Sequence, residues 1–300
     1  VIKYSSAWSF LVPEILQLDE ATIQSFIDSN DNLKRYEFDL KLINEKRPHI
    51  LDANTEKLLT EAQDALSTPS NVYGMFSNAD LEFEDAIDKD GQAYPLTQGT
   101  FIKYLESDDR ELRASAFRNV YKAYGAHNNT LGATLAGEVK KNVFNARTHH
   151  YRSARERALS NNHIPEAVYD NLIKTVHKYL PLLHRYTKLR QELLGLDDLK
   201  MYDLYTPLVK DVKFEMPYEE AKSWMLKALE PMGEEYLNVV KEGLDNRWVD
   251  VYENKGKRSG GYSSGGHLTN PFILLNWSDT VSDLYTLVHE FGHSAHSYFS

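Results

Sequence analysis

The 300-residue sequence contains no cysteine. That excludes structural disulfides and thiolate metal ligands and leaves histidine and carboxylate as the only strong ligand types. It also fits a reducing compartment, so the expected setting is the cytoplasm. No stretch approaches the roughly 18 to 20 continuous apolar residues that span a bilayer. The opening "VIKYSSAWSF" lacks the basic flank and long apolar core of an export signal, so no membrane partner is expected. Positive charge is also scarce: 34 Lys and Arg against 44 Asp and Glu give a net charge of -10, which repels a phosphate backbone and argues against a nucleic-acid partner. Basic side chains do cluster in "RTHHYRSARERAL" (147–159), which is expected to be a solvated or ion-paired helix face.

What is present is the composition of a folded globular chain, 42% hydrophobic and 26% charged, long enough for one large domain or two ordinary ones. Apolar residues recur at three and four spacing through most of it, which predicts a mainly α fold. "NLKRYEFDLKLINEK" reads as one helix running to Pro48, and "NTEKLLTEAQDALS" as another with an Asn or Thr cap. Between Leu81 and Phe101 the alternation in "LEFEDAID" and the Asp-Gly turn predict a small hairpin. Helices return from Asp108 and Asp109 onward, and a long one follows Pro165, with Pro181 inside it and Gly195 at its end. "MYDLYTPLV" is expected to be a connecting segment. The glycine-rich stretch between "WVDVY" and "FILLNW" predicts a minor sheet just before the last helix.

That last helix carries "VHEFGHSAHSYFS" (288–300). "TVSD" (280–283) has the form of a capping box, and at about 100° per residue Leu284, Leu287, Val288, Phe291, Ala295 and Phe299 fall on one side while His289, His293 and His296 share the other. His289 and His293 are four apart, stacked about 6 Å along the axis, which lets two imidazoles converge on one zinc ion. Glu290 lies beside that stripe, where it would hold a zinc-bound water and accept its proton, completing H-E-x-x-H. His296 is seven residues from His289, about 10.5 Å along a continuous helix, and cannot join both on one ion. A metzincin is excluded, because the positions that would carry its Gly and third His are His296 and Phe299. His177 and His184 are separated by the same seven-residue rise, and the adjacent His149 and His150 diverge by about 100° on a helix, so neither pair is expected to bind metal. The reading is a zinc peptidase; a non-catalytic helical peptide-binding or scaffold protein that kept this helix is the alternative.

"HEFGHSAH", "GKRSGGYSSGG", "PFILLNW", "SFLVPEIL" and "RPHIL" together closely resemble the oligoendopeptidase F branch of the thimet oligopeptidase family, the M3 zinc metallopeptidases, over essentially the whole chain. The resemblance implies a mainly α, two-lobed endopeptidase with one zinc ion per active site, a small β-sheet next to the HExxH helix, and a channel admitting short peptides. It makes His289 and His293 zinc ligands and Glu290 the general base. It also places Gly260, Gly261 and Tyr262 on a strand edge that contacts substrate backbone by β-augmentation. The family's third ligand is a Glu on a following helix, with transition-state-stabilising Tyr and His residues later still. The resemblance therefore implies that these lie after Ser300, that further chain precedes Val1, and that the sequence is an internal fragment. Residues 1–80 would form a helical N-terminal segment and residues 81–300 the N-terminal part of the catalytic domain. The oligomeric state is not legible.

Overall fold

The computed structural model describes residues 2–209, 214–266 and 268–300, and these are mainly α-helical with two small sheets. They pack as two compact units that cut across the segments 1–80 and 81–300: one joins the residues up to Gly74 to Asn129–Leu180, the other joins Met75–Asn128 to Pro181–Ser300. No helix among the described residues is long and apolar enough to cross a membrane.

The first unit is built from short helices fixed at their ends by side chains. The Asp19 carboxylate caps Glu20–Ser29 by accepting from the Thr22 N–H. Ala53–Leu66 is capped by Asp52, not by the Asn or Thr that follows it, because this one carboxylate takes the N–H groups of both Asn54 and Thr55. The single helix expected in "NLKRYEFDLKLINEK" is two, Asp31–Lys34 and Glu37–Glu45, divided where Tyr36 leaves helical backbone angles. Arg47 of "RPHIL" donates to the Leu16 and Leu18 carbonyls at the end of "SFLVPEIL", so the two stretches are tied together. The basic run is not one helix either. Asn128–Thr148 ends before His149, His150 turns back at φ 59°, and a new helix starts at Ala154. Its charges are ion-paired as expected: Arg152 with Glu156 and Glu166, Arg155 with Glu166 and Asp170.

In the second unit the expected hairpin is present as strands β1 (Ala86–Ile87) and β2 (Ala93–Tyr94), antiparallel, with Ala86 opposite Tyr94 and Gly91 turning the chain at φ 83°. Ala86 and Leu96 bury against Leu112, Ala116 and Val120 of helix Arg110–Gly125. The segment "MYDLYTPLV" is not merely a connection. It begins with a 3-10 turn, Met201–Asp203, that carries the fully buried Asp203 carboxylate onto Arg110 and Arg113. Helices Tyr218–Ala228 and Glu234–Asp245 follow, separated by Gly233 at φ 91°.

The second sheet has the order β3-β5-β4, from β3 (Val249–Asp250), β4 (Tyr262–Ser264) and β5 (Phe272–Leu274). β5 runs parallel to β3 and antiparallel to β4, with Ser263 opposite Ile273. Ile273, Leu275 and Trp277 bury against Leu287 and Phe291 of helix Val281–Phe299, the motif helix. Each such side chain contributes about 1.5–3 kcal/mol on burial. This packing seats the motif helix on the sheet by the side opposite His289.

Candidate metal centre

The motif helix starts where its sequence says it should. Thr280 accepts from the Asp283 N–H, while one Asp283 carboxylate oxygen takes the Thr280 and Ser278 N–H groups and both of their hydroxyls. The helix is continuous from Val281 to Phe299, so the rise that keeps His296 from His289 applies, and all three histidines are exposed. Leu287, Phe291 and Ala295 are buried as their spacing predicts, whereas Phe299, assigned to the same side, is 50% exposed at the helix end.

His289 and His293 meet at their outer ring nitrogens. The two Nε2 atoms are 3.1 Å apart and the rings are inclined at 80°. At that distance the Nε2–H of one neutral ring can donate to the Nε2 of the other, and a metal ion can take the place of that proton. With Zn–N bonds of about 2.0–2.1 Å, this spacing subtends roughly 100° at the ion, a small adjustment from tetrahedral. The pair therefore fits zinc. Among the described residues no group of three His, Cys, Asp or Glu is placed to hold a metal, so the structure brings together two candidate ligands and no third.

Glu290 lies beside the histidine stripe as expected, and it is buried, at 7% exposure. Its helical row explains this. Thr286, Glu290 and Ser294 repeat at four-residue spacing, and this row faces β4. A Cβ on Gly261 would meet Thr286 Cγ2 at 2.9 Å, and the Ser263 hydroxyl lies 2.8 Å from that of Ser294. Glu290 lies midway along the row, under the strand, and has no hydrogen-bond or ion-pair partner among the described residues.

The three expected substrate contacts lead into β4, with Gly260 and Gly261 before it and Tyr262 its first residue, and they are not equivalent. Gly260 turns the chain at φ 87° with its carbonyl held by the Asn276 amide at 2.8 Å. Gly261 is small because the motif helix approaches it, and Tyr262 is exposed. Sequence reading missed Ser263. β5 directs the Ile273 N–H to the Trp248 carbonyl in front of β3, so Tyr262 and Ser264 face β5 and the backbone N–H and C=O of Ser263 point to the open edge of β4. Strand alternation from the register could have found it, had the pairing been known.

Residues 103–300 match the family model described as Peptidase family M3, and residues 14–83 match that of Oligopeptidase F. The chain belongs to peptidase family M3. Within that family it is 55% identical to Oligopeptidase PepF of Bacillus subtilis over 99% of this chain and 44% of the relative. It is 47% identical to Group B oligopeptidase PepB of Streptococcus agalactiae over 99% of this chain and 49% of the relative. The crystal structure of oligoendopeptidase-F from Enterococcus faecium superposes with a TM-score of 0.71 at 38% identity, covering 100% of this chain and 49% of that one. The chain thus spans about half the length of the M3 relatives it matches.

Proposed function

We propose that the protein is a zinc-dependent endopeptidase that hydrolyses internal bonds of short oligopeptides in the cytoplasm. The observation that carries this is the facing Nε2 pair of His289 and His293, with Glu290 on the next helical row, 7% exposed and without a hydrogen-bond partner among the described residues. Bound by the two imidazoles, zinc supplies a Lewis acid for a peptide carbonyl and lowers the pKa of water to about 7. Glu290 takes the proton of the attacking water and passes it to the leaving amine; no cation or donor among the described residues competes for its carboxylate. The peptide pairs with the open β4 edge, where Ser263 offers its N–H and C=O, Gly261 lets the strand lie close to the helix, and Gly260 and Tyr262 flank the contact. Membership in family M3 and likeness to proteins named oligopeptidases support this choice of substrate.

In the full-length protein Glu290→Gln should retain zinc and lose turnover by about 10²–10⁴-fold, the span of general acid–base contributions. Unchanged cleavage by that variant would sink the assignment, and tight peptide binding without cleavage by the wild type would favour a scaffold. The third ligand, a Glu, is proposed to follow Ser300. The 300-residue chain alone should then bind zinc more weakly than the full-length protein and turn over little or no peptide; stoichiometric zinc with full turnover would refute this.

A further inference from the structure

An apolar cavity of about 450 Å³ opens in the second unit between helix Tyr218–Ala228 and the first half of the motif helix. Met216, Trp224, Met225, Leu284, Tyr285 and Val288 line it, and every remaining lining side chain is apolar as well. Such a lining strongly disfavours a charged guest, which would lose its hydration with nothing to replace it. The cavity is open to solvent: Trp224 is 51% exposed and Tyr285 73% exposed.

Its position relates it to the metal centre. Tyr285, His289 and His293 form one helical row at four-residue spacing, and Val288 directly precedes His289. β4 lies along the opposite flank of that row, so the histidines are bounded by the strand edge on one side and by the cavity on the other. Along the axis, Val281, Leu284, Tyr285 and Val288 are centred about six or seven residues before the midpoint of the histidine pair, a displacement of about 10 Å. An extended peptide advances about 3.3 Å per residue, so 10 Å is roughly three residues.

We propose that this cavity is a specificity subsite that takes a bulky apolar side chain about three residues from the cleaved bond, on the side where the peptide leaves β4 past Gly260. The inference rests on the peptidase reading above and adds to it a selective element that is not part of the reacting centre. Tyr285 and Trp224 form the open rim and decide the selectivity, whereas Met216 and Met225 form the floor and also serve the core.

The test uses the full-length zinc-loaded enzyme and a set of short internally quenched peptides in which Leu, Phe, Ala or Asp is placed in turn at each position on both sides of one scissile bond. The wild type should favour Leu and Phe over Ala by about 10-fold or more in kcat/KM at one position about three residues out, and reject Asp there. Tyr285→Ala and Trp224→Ala, both at exposed side chains, should collapse that ratio toward one at that position alone. Cleavage with no such preference, or a preference that both variants leave intact, overturns the subsite while the peptidase reading stands. Failure of the wild type to cleave any of the peptides overturns the peptidase reading, and the subsite with it. If another part of the full-length chain fills the cavity, the variants lose stability with the ratio unchanged, which also overturns the proposal.

Discussion

Asp203 and Glu290 are both buried carboxylates in the second unit, yet their surroundings differ completely. Asp203 is fully enclosed and saturated: Arg110 donates to it at 3.2 and 2.9 Å, Arg113 at 2.9 Å and the Lys200 N–H at 2.9 Å. Glu290, at 7% exposure, has no such partner among the described residues. The Glu290 oxygens are not among the fully enclosed side-chain atoms left without a partner, so its carboxylate stays accessible to an outside proton, whereas that of Asp203 is spent on the fold. The same contrast separates two histidine groups. In the first unit His49 Nδ1 is held against the His149 carbonyl with its ring stacked on Tyr151, and His149 is held by the Asn145 carbonyl beside Glu56. Those ring nitrogens are held by the fold, whereas among the described residues the Nε2 atoms of His289 and His293 meet only each other. Residue type marks both groups as candidates, and unspent valence tells them apart.

The largest effect expected from breaking this contrast is at Asp203. Asp203→Asn keeps the shape but leaves Arg113, 3% exposed, without its counter-charge, and should destabilise the second unit by about 3–5 kcal/mol in denaturant titration. Arg110 accounts for the smaller share, because its side chain is 40% exposed and solvent screens it. Loss of under about 1 kcal/mol would mean that the triad is not a structural tie. Acid should act in the same sense. Burial alone would raise the Asp203 pKa, but the Arg110 and Arg113 hydrogen bonds outweigh it and hold the carboxyl below the usual aspartate range. A carboxyl depressed on folding contributes its full stability above the unfolded value of about 3.9 and loses it as pH falls through the folded one. Wild-type stability should therefore decline below about pH 4 with a component that Asp203→Asn lacks. Parallel acid profiles for the two proteins would contradict this.

The facing of His289 and His293 could be read from the sequence because it depends on one helix. The four-residue spacing of His289 and His293 fixes their relative placement once the helix exists, and "TVSD" states where it begins. Asp203 could not be read, because its partners lie 93 and 90 residues away and nothing local in "MYDLYTPLV" distinguishes a buried carboxylate from a loop one. The basic run misled for a related reason: its composition suits a helix, but His150 takes a left-handed backbone conformation that no propensity indicates. The units were hidden too, since pairing residues 129–180 with the first 74 is a long-range choice. Burial of Glu290 belongs to the same class, being imposed by β4, a strand of three residues.

The smallest expected effect tests that strand directly. Gly261→Ala places a methyl about where Thr286 Cγ2 and Leu275 Cδ2 already lie, at 2.9 and 3.3 Å from the new Cβ. Thr286 is β-branched and stiff on a helix, so the strand must give way, at about 1 kcal/mol or somewhat more. Gly260→Ala is the matched control. It has open space around the new methyl but a φ of 87°, so its cost of about 1–2 kcal/mol comes from backbone strain without a push against the helix. The two variants should thus lose similar stability and differ in turnover. Gly261→Ala lifts β4 from the Thr286, Glu290 and Ser294 row, disturbs the placement of Glu290 and should lower kcat, while Gly260→Ala should leave kcat closer to wild type. Equal kcat in the two variants would show that the strand's seat on the helix does not govern Glu290.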